Sequence, residues 1–190
     1  MLYSSVIKKA IRFSINTHEV YQKQKRKGKD IPYIIHPLIV GLLLSRGGAD
    51  EEIVAAGILH DTIEDSAAFK KVTKKILNDR FGERVAEVVA SVSEKPDRRA
   101  WDERKREALE RIAHFSHSSL MVKAADVLAN GSELLNDHRR IGDKVFARFA
   151  APKEKIIWYY SAASKTLLKK WPRTPFAADL KSLVDDLAKI

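Results

Sequence analysis

The chain has 190 residues, 45% of them hydrophobic, a formal net charge of +10 and no cysteine. That length suits one domain with a buried core, and the missing thiols exclude a disulfide framework, a thiolate metal site and a cysteine nucleophile, leaving histidine and carboxylates as the strong ligands. No apolar run approaches the ~20 residues that span a bilayer, and "MLYSSVIKKAIRFSI" at the N-terminus carries charges inside its apolar stretch, so the expectation is a soluble cytoplasmic protein, with no membrane partner, whose positive surplus favours an anionic one.

Helical spacing runs through the sequence and two-residue alternation is nearly absent, which predicts an all-α fold, one domain over 1–190. A first helix is expected from residue 2 to about 24, on Val6, Ile7, Ala10, Ile11, Phe13 and Ile15. A charged loop, "QKQKRKGKD", follows and leads into "IPYIIHP". Pro37 biases His36 toward an extended conformation and itself suits the first position of the helix "LIVGLLLSRGG", which Gly47 and Gly48 close. Asp50 is a candidate N-cap for "EEIVAAGILHD", whose middle is apolar on every side, as in a central buried helix. Further helices are predicted at 67–80, 82–94, 100–115, 118–136, 143–150, 153–170 and 176–189, punctuated by Gly82, Pro96, Gly142, Pro152 and the "WPRTP" loop.

The chemistry concentrates in "AGILHDTIEDS", where His60, Asp61, Glu64 and Asp65 follow an apolar run. On a helix, His60 and Glu64 stand four apart, as do Asp61 and Asp65, so two stripes of ionisable groups crowd one end. Carboxylates beside a buried run are costly unless compensated, and a divalent cation is the compensation that also suits imidazole. Asp61 as a simple helix cap is the alternative. Two more ligand-capable residues face apolar sequence: His36 in "PYIIHPLIV", and Asp126 among Met121, Val122, Ala125, Val127 and Leu128. His18, His114, His117 and His138 stand in polar contexts and are expected at the surface or locally hydrogen-bonded. Trp101, Trp158, Tyr159 and Tyr160, at helical spacing, read as core, with the two tyrosines able to line a nucleotide pocket instead.

The ordered set "RKGKDIPYIIHPL", "AAGILHDTIEDS", "RFGERVAEVVASVSE", "WDERKREALERI" and "VKAADVLANGSEL" resembles the HD-domain metal-dependent phosphohydrolases, and more closely the RelA/SpoT-type alarmone hydrolase domain and its stand-alone small versions, from Ala10 to about Tyr160. The resemblance implies a helical domain holding one divalent ion, usually Mn2+, through His36, His60, Asp61 and Asp126, with other transition metals compatible with the same donors. It also implies removal of the 3′-pyrophosphate from guanosine tetra- and pentaphosphate. Glu64 and Asp65 match the residues that activate or position the attacking water. Arg26 and Lys27 match a pair near the base and phosphates, Asn130 matches the asparagine one turn beyond the last ligand, and Arg104 and Lys105 are further candidates for phosphate contact.

Two departures accompany the match. Val127 and Ala129 stand where close relatives commonly carry a basic residue and a histidine, and Ser66 replaces a threonine. The linker and synthetase segments of longer relatives have no counterpart here, so degradation alone is expected. A second reading is an HD phosphohydrolase for another phosphorylated nucleotide, such as a 5′-nucleotidase, a nucleoside triphosphate hydrolase or an NADPH phosphatase. A third is a basic binding protein for nucleic acid. The complete ligand set and the lack of an interleaved aromatic and basic platform argue against the third.

Overall fold

A computed structural model of the chain describes residues 4–94 and 99–190. The predicted start of the first helix at residue 2 and the predicted break at Pro96 lie outside the described residues. Within them the regular structure is helical: α1 Ser5–Ile15, α2 Ile35–Arg46, α3 Glu51–Leu59, α4 Lys74–Phe81, α5 Glu83–Val92, α6 Trp101–Ile112, α7 His117–Ile141, α8 Lys153–Lys170 and α9 Ala177–Leu187. No helix of the described residues is long and apolar enough to cross a membrane.

Side-chain caps set several of the starts. Ser4 Oγ accepts from the Ile7 N–H (3.3 Å), Asp50 Oδ1 from Glu52 and Ile53 (3.1 and 3.0 Å), and Ser116 Oγ from Ser119 (3.1 Å), each satisfying first-turn donors that have no partner inside the helix. Several boundaries differ from those the sequence predicts. Helix α1 gives way to a π-helical turn at Asn16–Tyr21. The segment predicted as a helix over 67–80 divides into a 3₁₀ turn at Ala68–Lys70 and α4, because Thr73 turns extended and caps Ile76 through its hydroxyl. Residues 142–148 form a 3₁₀ turn instead of an α-helix.

His36 is helical rather than extended. Helix α2 begins two residues before Pro37, and the His36 N–H donates to the Tyr33 carbonyl at 3.0 Å. Pro37 costs little there, since first-turn amides have no acceptor within the helix. At the other end of the motif, α3 stops at Leu59 and residues 60–65 turn. The four-residue spacing still holds, because the Asp65 N–H donates to the Asp61 carbonyl at 2.9 Å.

Helix α3 is the buried centre, with every residue from Ile53 to Leu59 in the core, and it packs against α1, α2, α5 and α7. Its approach to α2 depends on Gly57: a β-carbon there would lie 2.1 Å from Leu44 Cδ1 and 3.2 Å from Val40 Cγ1. Gly57→Ala is expected to destabilise the fold by about 1–3 kcal/mol through overpacking, measured by urea denaturation; an unchanged midpoint would show that α2 yields freely. Helix α7 carries Asp126 at mid-length against this core.

Candidate active site

Three donors from three helices meet at one point, His36 from the first turn of α2, His60 at the C-terminal end of α3 and Asp126 from α7, and Asp61, from the turn after α3, flanks the two imidazoles. The two Nε2 atoms are 3.2 Å apart. Asp61 Oδ2 lies 3.0 Å from His60 Nε2 and 3.7 Å from His36 Nε2. Asp126 Oδ1 lies 3.3 Å from His36 Nε2 and 3.7 Å from His60 Nε2. Around an ion with bonds of about 2.1 Å at right angles, neighbouring donors stand about 3 Å apart, which is the spacing found. His36, His60 and Asp126 each offer an atom within 4.8 Å of the other two.

The groups behind these donors fit the same role. His60 Nδ1 donates to the Gly57 carbonyl at 2.7 Å, directing Nε2 inward as a ligand. The Tyr33 hydroxyl donates to Asp61 Oδ2 at 2.6 Å. Asp126 accepts from Lys123 Nζ at 2.8 Å and from Asn130 Nδ2 at 2.7 Å.

Burial alone would make His60 less basic, but the Asp61 carboxylate and its hydrogen bond, joined by Asp126, outweigh it and raise the imidazole to about 9. Asp126 is buried too, yet Lys123 and the two histidines hold it well below the usual carboxylate range. The centre therefore stabilises positive charge, and a divalent ion there would replace a proton. Glu64 is pushed the other way, to about 8, by burial and then by the charge of Asp61. Asp65 is raised by the same two causes.

Beside the centre opens a cavity of about 540 Å³. Its lining includes the acidic Asp61, Glu64 and Asp65, the basic Lys27, Arg104, Lys105 and Arg148, and the rings of Phe149, Tyr159 and Tyr160. Glu64 Oε1 accepts from the Glu94 N–H, and Asp65 Oδ2 from Gln24 Nε2 at 2.9 Å. Lys27 reaches over the Phe149 ring, 5.3 Å from its centroid, and burial, followed by Lys105 and Arg104, lowers its affinity for a proton. Lys105 Nζ donates to Glu94 Oε1 at 2.6 Å and lies 4.8 Å from the centroid of Tyr159. The two other sequence candidates, Arg26 and Asn130, also line the cavity while bonding to the protein. Arg26 donates to Glu133 at 2.5 Å and to Asn130 Oδ1 at 2.8 Å, so Arg26 and Asn130 brace each other and, through Asn130, Asp126.

The loop that carries Lys27 is held by ion pairs. Lys29 pairs with Glu133 (2.5 Å) and Asp137, and Arg148 pairs with Asp137 (2.5 Å) while donating to the Lys27 carbonyl (3.3 Å). Gly28, at φ +68°, lets this happen, since a β-carbon there would lie 2.9 Å from Arg148 Cβ.

The sequence reading missed Tyr33, Lys123 and Gln24. For Lys123 a signal existed, a lysine three residues before Asp126 on one helix. Of the two alternatives expected for His18 the local hydrogen bond is found, with Nδ1 2.9 Å from Gln24 Oε1, and the ring is fully buried rather than superficial. Trp158 is 42% exposed, not core. Tyr33→Phe is expected to weaken divalent-ion binding about 10–100-fold by freeing Asp61, as read by titration calorimetry; an unchanged affinity would leave the hydroxyl without a role at the centre.

A helical domain that gathers two imidazoles and two carboxylates in this order is an HD domain, and the chain belongs to the HD domain family, which it matches over residues 10–155. Among its relatives it is 34% identical over 134 residues to the guanosine-3′,5′-bis(diphosphate) 3′-pyrophosphohydrolase MESH1 of Danio rerio, covering 69% of this chain and 70% of that one. It is 42% identical over 91 residues to the guanosine-3′,5′-bis(diphosphate) 3′-pyrophosphohydrolase of Aquifex aeolicus, of which it spans 12%. It shares its fold with a solved structure described as a metazoan ortholog of SpoT that hydrolyses ppGpp, at a TM-score of 0.76 and 22% identity, covering 100% of this chain and 97% of the other.

Proposed function

We propose that the 190 residues act as one HD domain that hydrolyses guanosine tetra- or pentaphosphate at the 3′-pyrophosphate, giving GDP or GTP and pyrophosphate, with Mn2+ as its ion and the cytoplasm as its place. The observation that carries this reading is the cavity itself, which is lined by Asp61 of the donor cluster, by two further carboxylates, Glu64 and Asp65, and by the cations Lys27, Arg104 and Lys105. The name and 34% identity of the Danio rerio relative support the choice of substrate.

His36, His60, Asp61 and Asp126 would hold the ion; the donor set, without sulfur, suits Mn2+ and its neighbours in the series. When bound, such an ion supplies Lewis acidity, making water a stronger acid and offsetting charge on phosphoryl oxygens. The protein's own groups do the rest. Glu64, kept mostly protonated at neutral pH in the ion-free site, and Asp65 beside it are the candidates to take the proton of the attacking water once a bound ion favours their carboxylates. Lys27, Lys105 and Arg104 hold the polyphosphate, so that position and electrostatics account for most of the rate. No covalent intermediate on the protein is required. Arg26 and Asn130 serve by fixing Asp126 and the loop beside Lys27.

The test is turnover of purified protein with Mn2+ against guanosine tetraphosphate, NADPH, deoxynucleoside triphosphates and nucleoside monophosphates, with products resolved by ion exchange. Loss of guanosine tetraphosphate with matching GDP and pyrophosphate is expected. Phosphate release from another compound alone would assign the site to a different nucleotide, and inertness toward all of them would overturn the reading.

A further inference from the structure

The backbone is irregular just before the site. Helix α1 passes into the π-turn at Asn16–Tyr21, and Lys23 adopts φ +50°, the one left-handed non-glycine residue among those described. Such conformations persist where surrounding contacts enforce them, and they cluster at functional sites. Here the contacts converge on Asp65. The Gln22 side chain donates to the Asp65 carbonyl, and Gln24 Nε2 donates to Asp65 Oδ2 at 2.9 Å. Behind Gln24, its Oε1 lies 2.9 Å from His18 Nδ1, and its backbone N–H donates to the His18 carbonyl at 2.8 Å.

We propose that His18 is a positioning residue for the hydrolytic step, fixing through Gln24 the orientation of the Asp65 carboxylate. The proposal rests on the function given above. An ionised carboxylate only accepts, so Gln24 must turn its NH2 toward Asp65 and its oxygen toward His18. His18 must then carry its proton on Nδ1. Its Nε2 is buried and has no hydrogen-bond partner among the described residues, as a bare lone pair can be more cheaply than an N–H. Burial accordingly disfavours the charged ring, more than Gln24 and the acidic groups favour it. The same imidazole packs against Tyr33, ring centroids 5.0 Å apart, behind the hydroxyl that bonds Asp61. One buried ring thus backs two acidic residues of the site.

The substitutions that separate this role from plain core packing are His18→Leu, which fills the space without a donor, and His18→Asn, whose side-chain amide can present an N–H near the Nδ1 position. With Mn2+ and guanosine tetraphosphate, His18→Leu is expected to lower kcat about tenfold, the size typical of an outer hydrogen-bond partner, with KM and Mn2+ affinity nearly unchanged. His18→Asn is expected to recover most of that loss. Wild-type kcat in His18→Leu, or no recovery in His18→Asn, would overturn the proposal. Long-range 1H–15N spectra of the wild-type protein without substrate are expected to show the Nδ1–H tautomer for the ring signal missing from the His18 variants; an Nε2–H tautomer would overturn it whatever the substrate proves to be. Wild-type protein inert toward guanosine tetraphosphate, with the Nδ1–H tautomer present, would instead remove the functional reading and leave the His18–Gln24–Asp65 chain standing.

Discussion

Asp61→Ala is expected to lose Mn2+ uptake and hydrolysis of guanosine tetraphosphate together, with kcat/KM falling by more than the 10–100-fold typical of a residue one step behind the ion. The size follows from position. Asp61 Oδ2 is within 3.7 Å of both imidazole nitrogens, and its charge does most to keep His60 basic against burial. Removing it takes away a donor and part of the field that attracts the ion. It also strands the Tyr33 hydroxyl. Asp61 is preferable to Asp126 for this experiment, because losing Asp126 would leave the buried Lys123 ammonium without its carboxylate and destabilise the fold. Titration calorimetry with Mn2+ and a product assay on one sample give both readouts. Retained Mn2+-dependent turnover would contradict the ligand assignment.

Glu64→Gln carries the second large effect, a fall in kcat of about 10²–10⁴ with Mn2+ affinity little changed. Its amide keeps the size of the side chain and can still accept from the Glu94 N–H, so the change isolates proton transfer. The pH dependence gives a separate check. A base works only when ionised, so wild-type kcat rises with pH through the Glu64 titration. In the ion-free site that titration lies near 8, raised by burial and Asp61; a bound divalent cation favours the carboxylate and moves the limb lower. Glu64→Gln is expected to flatten it. A variant that keeps both kcat and the limb would assign the base to Asp65.

The ligand set was legible because each ligand is a costly residue in an apolar setting, and helical spacing says which costly residues share an end. That ground marks His36, His60, Asp61 and Asp126 as candidates, and the resemblance is what joins them into one ligand set. What lay outside the sequence's reach was pairing across long separations. Arg26 is a candidate for nucleotide contact through the resemblance, and nothing in the sequence shows that its guanidinium also meets Asn130 and Glu133, 104 and 107 positions away. Helix α7 was predicted to stop at 136 because polar residues follow, but it continues to Ile141, and Asp137 is buried there against Lys29 and Arg148. A charge that faces inward is invisible to a rule that takes polarity for exposure. The burial of His18 escaped because a π-turn shifts the register by which faces are counted.

If the proposed function holds, the ion pairs around Lys29, Asp137 and Arg148 bear on how a polyphosphate would be captured. A strand of basic residues that folded only upon its ligand would have to lose its conformational freedom at that moment, weakening the complex. Here the segment around Lys27 is preorganised, tethered to α7 and to the turn that follows it before any anion arrives. Recognition is then a matter of long-range attraction and desolvation rather than of ordering the chain, and tight capture can coexist with fast encounter.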